Sequence, residues 1–236
     1  DDDRLDIGAR TWILERLGVF VDQLVSACDA AGLAGASDGD RTRAERARLR
    51  SFVSLFRALG TRDGAGVLMR VLAAADPRVS AMGAAALVVL DHRVPPERLD
   101  LIARDPEARA ELIDALLVGG ASEQLPSRWR DGRASAEAYL VRWLASPTEL
   151  GRAPDEIEHV EELPLGEHPD DGSMHVFRFR LRSPHWSSAR GWMIGVAGAH
   201  TYTCYAAEDE CSHADHVTAV LTALADWPDR RADGAA

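Results

Sequence analysis

Four residues near the end of the chain carry the side chains of a metal site. Cys204, Cys211, His213 and His216 follow the spacing C-x6-C-x-H-x2-H. Thiolate and imidazole are zinc ligands, and two histidines three residues apart share a helix face. Structural zinc sites usually pair two cysteines about two to four residues apart, and this spacing is wider. Cys204 also falls in a strand pattern, with nothing to aim it at the helix start. The sequence therefore predicts no metal and no cofactor, with these four residues as the weak candidates. A Cys204–Cys211 disulfide is compatible with the chain but not with a reducing compartment. A nucleophilic reading would set Cys204 or Ser187 against His185, His200, His213 or His216. No nucleophile elbow, oxyanion loop or orienting acid accompanies them, so a non-catalytic protein is expected.

A second set of residues suits binding. Arg178, Arg180 and Arg182 alternate with Phe177, Phe179 and Leu181. On a strand this puts three guanidinium groups on one face. They suit a carboxylate surface, a phosphate or an acidic peptide. The competing reading is a solvated face neutralised by Glu158, Glu161 or Glu162 on a neighbouring strand. His185-Trp186 lies in the turn that follows, where an aromatic side chain can anchor a partner. Trp192 alternates with apolar residues and is assigned to the core. Trp186, Arg178, Arg180, Arg182 and His185 are thus the expected partner-binding residues. The run Arg41, Arg43, Arg46, Arg48 and Arg50 spreads around a helix, and neighbouring acids dilute it. It is read as a solvated helix surface.

The elements that must position these residues change character near residue 150. Before it, apolar residues recur at helical steps. The first helix, about 6–30, has an inward stripe of Ile13, Leu17, Phe20, Leu24 and Ala27, widened by Val21, Val25 and Cys28. A capping-box spacing, Thr42 with Glu45, opens a second helix. It carries Leu49, Phe52, Val53, Phe56 and Leu59, and Gly60 ends it. A third spans about 64–75. Asp76-Pro77, Pro95-Pro96 and Asp105-Pro106 open three more, and Ser135 caps a seventh. After a linker rich in Pro and Gly come four strand-like runs: 157–163, 173–182, 191–198 and 200–206. A closing helix spans about 212–227. Short connections favour an antiparallel ββββα module.

Two helix starts repeat at one offset. Asp76-Pro77-Arg78-Val79-Ser80 leads to Ala86-Leu87, and Asp105-Pro106-Glu107-Ala108-Arg109 leads to Ala115-Leu116. Over about 64–119 this resembles the HEAT-like helical repeats. In those, a second helix opens with Asp-Pro-x-Val-Arg and runs to an Ala-Leu pair. Arg109 matches the repeat's arginine and Ser80 departs from it. The resemblance implies an antiparallel helical array whose groove binds another protein. The fold class expected is α+β, with an all-α HEAT-like array at 1–150 and an α+β module at 151–236.

Composition narrows the function classes. The net charge is −11 over 236 residues, and every cationic side chain is arginine, with no lysine or asparagine. That skew, with abundant alanine, reflects a GC-rich genome of bacterial type. The acidic balance argues against nucleic acid, whose phosphates need neutralising. No apolar run reaches the roughly 18 residues of a membrane helix. Asp1-Asp2-Asp3 resembles no signal peptide, and three cysteines are too few for a disulfide framework. A cytoplasmic protein that binds another protein is expected, as an adaptor, inhibitor or immunity-type partner. The alternatives are a metal- or cysteine-dependent enzyme centred on the C-terminal module, and a structural subunit of a larger assembly.

Overall fold

Among the described residues, seven α-helices precede a small antiparallel sheet in the computed structural model. It describes residues 7–33, 40–59, 62–164, 172–181, 192–198 and 204–207, with 215, 218, 219 and 222. The chain divides into two compact units, Asp1–Asp131 and Gly132–Ala236. The first holds α1 (Ile7–Leu33), α2 (Asp40–Leu59), α3 (Arg62–Leu72), α4 (Pro77–Val89), α5 (Pro96–Ala103) and α6 (Pro106–Val118). The second holds α7 (Gly132–Leu144) and strands β1 (Glu156–Pro164), β2 (Ser173–Arg180) and β3 (Met193–Gly198). A short segment, β4 (Cys204–Ala207), pairs antiparallel with β3. Among the described residues no helix is long and apolar enough to cross a membrane.

In the first unit α1 packs on α2 and α3, α2 on α4, and α4 on α3, α5 and α6. Val21, Cys28, Leu49, Phe56, Leu68, Val71, Leu87, Leu99 and Leu112 are buried in its core. Gly83 permits the closest approach: a Cβ there would stand 2.5 Å from the backbone nitrogen of Leu72. The α1 face differs from the sequence expectation. Among the described residues Leu14, Gly18, Val21 and Cys28 are buried on α1, and Phe20 is 55% exposed. One helical step of about 100° separates Phe20 from Val21, and the buried stripe follows Val21. Burial pushes the Cys28 thiol up to about 11 from its ordinary 9.0.

Polar groups tie this unit together at one helix start. Asp76 caps α4 by accepting from the backbone N–H groups of Arg78 and Val79. The Arg46 guanidinium of α2 donates to Asp76 Oδ2, Nε at 3.1 Å and Nη2 at 2.8 Å. The backbone N–H of Asp76 donates to Asp29 Oδ1 of α1 at 2.8 Å. Next to it, the Leu72 carbonyl at the end of α3 accepts from Ser80 Oγ of α4 and from Nε of Arg98 of α5.

The two Asp-Pro starts behave alike. Asp105 caps α6 through the Ala108 N–H at 2.8 Å. Both helices then end the same way. Asp91 and Gly120 take positive φ, 60° and 63°. The next N–H groups, His92 and Ala121, return to the Leu87 and Leu116 carbonyls. This is the six-to-one closure of a left-handed helix end. Other starts shift from expectation. The helix of α2 begins at Asp40 and that of α7 at Gly132. Thr42 and Ser135 therefore lie inside the first turn instead of capping it.

The second unit begins earlier than the boundary drawn at residue 150. Ala136, Leu140 and Leu144 of α7 are buried with Phe177, Phe179, Met193 and Ala197 of the sheet. The seventh helix is thus the apolar cover of one sheet face. Strand order is β1-β2-β3-β4. Of the expected closing helix, only Asp215, Thr218, Ala219 and Thr222 are described, and they are helical.

Asp76→Ala should cost about 3 kcal/mol in urea denaturation, because it removes a cap and a nearly buried ion-pair partner of Arg46, whose side chain is only 14% exposed. Asp105→Ala loses a cap alone and should cost about 1 kcal/mol. Native protein treated with an alkylating reagent near pH 8, then mapped by mass spectrometry, should remain unmodified at Cys28 until it is unfolded.

Candidate functional site

Alternation along β2 sets the composition of the candidate surface. Phe177 and Phe179 are buried on the face that α7 covers. Arg178 and Arg180 stand on the opposite face, half-buried. The register places Arg178 beside Glu158 and Ile194, and Arg180 beside Glu156. Each arginine takes its cross-strand acid. Arg178 Nε donates to Glu158 Oε2 at 2.8 Å, and Arg180 Nε donates to Glu156 Oε2 at 2.5 Å.

Trp192, immediately before β3, lies under both arginines. Its ring centroid is 4.6 Å from the Arg178 guanidinium carbon and 4.8 Å from that of Arg180. Cation–π stacking and the acid pairs hold the two planar groups in place. The ridge is therefore a row of ion pairs on an aromatic base, not a bare cationic stripe. A guanidinium has five N–H donors, and one carboxylate oxygen occupies only some of them. The arrangement suits a flat or carboxylate-bearing surface that meets pre-oriented donors beside an indole.

An irregularity in β1 decides which acids join the ridge. The register slips between His159 and Glu161, a bulge that reverses the faces beyond it. Glu161 then pairs across from Val176 on the ridge face, while Glu162 pairs across from His175 on the other. Of the acids named from sequence, Glu158 is bonded to Arg178, and Glu156 supplies the second pair, with Arg180. Trp192 was missed as a site residue. Its parity with Ile194, the register partner of Arg178, is the signal that places it there.

Arg182, His185 and Trp186 lie outside the described residues, as do Cys211, His213 and His216. Cys204 pairs with Val196 in the β3–β4 ladder, and its side chain lies outside the description. Among the described residues no three His, Cys, Asp or Glu side chains gather to hold a metal.

Two further clusters contain titratable groups. His159 Nε2 is 3.3 Å from Nδ1 of the buried His175, and both rings lie against Phe177. In the helical unit, Asp100 accepts from Arg128 and from Trp129 Nε1, the latter at 3.0 Å. Those hydrogen bonds, Arg128 first, hold its carboxyl below the usual carboxylate range. The Trp129 ring is stacked by Arg109 at 4.8 Å and Arg128 at 5.1 Å. Arg109 is buried and donates to the Ala103 carbonyl at 2.9 Å. It braces the loop around Trp129.

The chain matches no protein-family model, no curated protein and no solved structure.

The Arg178–Glu158 pair is 42% and 49% exposed, so water screens it. A double-mutant cycle with Arg178→Ala and Glu158→Ala should give a coupling of about 0.5 kcal/mol. A much larger value would mean that the ridge mainly serves stability.

Proposed function

We propose that this chain is a non-catalytic protein-binding protein, an adaptor, inhibitor or immunity-type partner. The observation that carries this reading is the Trp192 platform with Arg178 and Arg180 stacked upon it. Tryptophan and arginine are the residues most enriched where interfaces concentrate their energy. Here their side chains are positioned in advance, so little rotamer freedom is lost on binding. A strip of paired charges beside an indole favours a partner with its own mixed charges over a polyanion.

We further propose that the helical unit is a HEAT-like array whose groove is a second contact surface. Its support is the repeated cap and helix end of α4 and α6. The packing of α1 on α3, and of α4 on both α2 and α6, has the neighbour pattern of stacked helix pairs. The proposed setting is the cytoplasm.

Affinity capture from the native host, with bound proteins identified by mass spectrometry, tests the reading. One stoichiometric partner is expected with the wild-type chain. Arg178→Ala with Arg180→Ala should reduce its recovery at least about tenfold while circular dichroism and melting stay close to wild type. Undiminished recovery with that variant would remove the platform from the interface. No partner at all would count against a binding role.

A further inference from the structure

Helix α1 exposes an apolar patch on the side away from its buried stripe. Trp12 is 59%, Val19 52% and Phe20 55% exposed. These positions lie on adjacent i, i+4 and i+3 rows of one helix face. Glu15 and Arg16, both exposed, lie between them. The Arg16 guanidinium carbon is 5.5 Å from the Trp12 ring centroid. Among the described residues neither Glu15 nor Arg16 has an ion-pair partner. The neighbouring acid, Asp22, is already bound by Arg70 at 2.9 Å.

We infer that this face of α1 docks against the same face of a second copy of the chain, in an antiparallel pair. The charge pattern selects that occupant. A twofold axis through the patch, midway between Glu15 and Arg16, sets each Glu15 against the other copy's Arg16. It also sets each Trp12 against the other copy's Val19 and Phe20. One patch therefore supplies both halves of two ion pairs and of two apolar contacts, which is the self-complementarity an isologous interface requires. A uniformly acidic or basic partner would satisfy one charge and repel the other. The aromatic side chains supply most of the area, and closing them over the charges removes the water that would otherwise screen the ion pairs. Nothing in this pairing draws on the sheet platform.

Light scattering and sedimentation of the full chain over a range of concentrations test the inference. Wild type should pass from monomer to dimer. Glu15→Arg sets two arginines against two, and should weaken dimerisation at least about tenfold. Glu15→Arg with Arg16→Glu restores opposite charges across the axis and should restore dimerisation. Trp12→Ser, at a position more than half exposed, should abolish it with the helical circular dichroism unchanged. Two results would overturn the inference: a wild type that stays monomeric throughout, including one that instead sediments with lipid vesicles, or a dimer that both Glu15→Arg and Trp12→Ser leave intact.

Discussion

The carboxylate of Asp76 is the group around which the helical unit is organised. It is withdrawn from water, so its charge must be compensated where it stands. The backbone at the start of α4 supplies part of that compensation and Arg46 of α2 the rest. The same residue's N–H is taken by Asp29 of α1. Three helices are thus fixed relative to one short turn, and α5 and α6 are laid against the helix that the turn begins. Apolar burial drives the collapse of this unit. The directional bonds at Asp76 select one arrangement from those the apolar faces alone would allow.

The sheet unit follows a different constraint. Strand alternation sorts each residue of β2 to one face or the other. The α7 side takes the phenylalanines, and the far side takes the arginines. A single bulge in β1 then determines which acids reach those arginines. What a strand face offers to another molecule is therefore set by its neighbour's register as much as by its own sequence. Trp192 completes the arrangement by giving both guanidinium groups a surface to lie on.

Much of this organisation was legible in the residues. The Asp-Pro starts of α4 and α6 were readable because aspartate caps and proline suits the first helical position. The two faces of β2 were readable from strict alternation. Val67, Leu68, Val71 and Leu72 recur at helical steps along α3, and all four are buried. Phe20 misled because a helix with apolar residues on more than one side has several candidate stripes, and only packing chooses among them. The placement of α7 with the sheet was not visible either, since an amphipathic helix does not encode which apolar surface it will cover. The bulge in β1 left no sequence mark, and it set the pairing of Arg178 and Arg180. Trp192 looked like a core residue because alternation reports which face a side chain takes and says nothing about what lies above it.

The carbonyl of Leu72 has a consequence for how the molecule comes apart. An isolated helix pair could open alone if the groups at its ends were satisfied within the pair or by water. Here the last carbonyl of α3 takes its donors from Ser80 and Arg98, which belong to the two helices that follow. Releasing α3 removes an acceptor from both Ser80 and Arg98, and releasing α4 or α5 removes one of the carbonyl's donors. This shared carbonyl couples the opening of the three helices, and Arg98 of α5, which also donates to the Ala74 carbonyl, ties down the turn between α3 and α4.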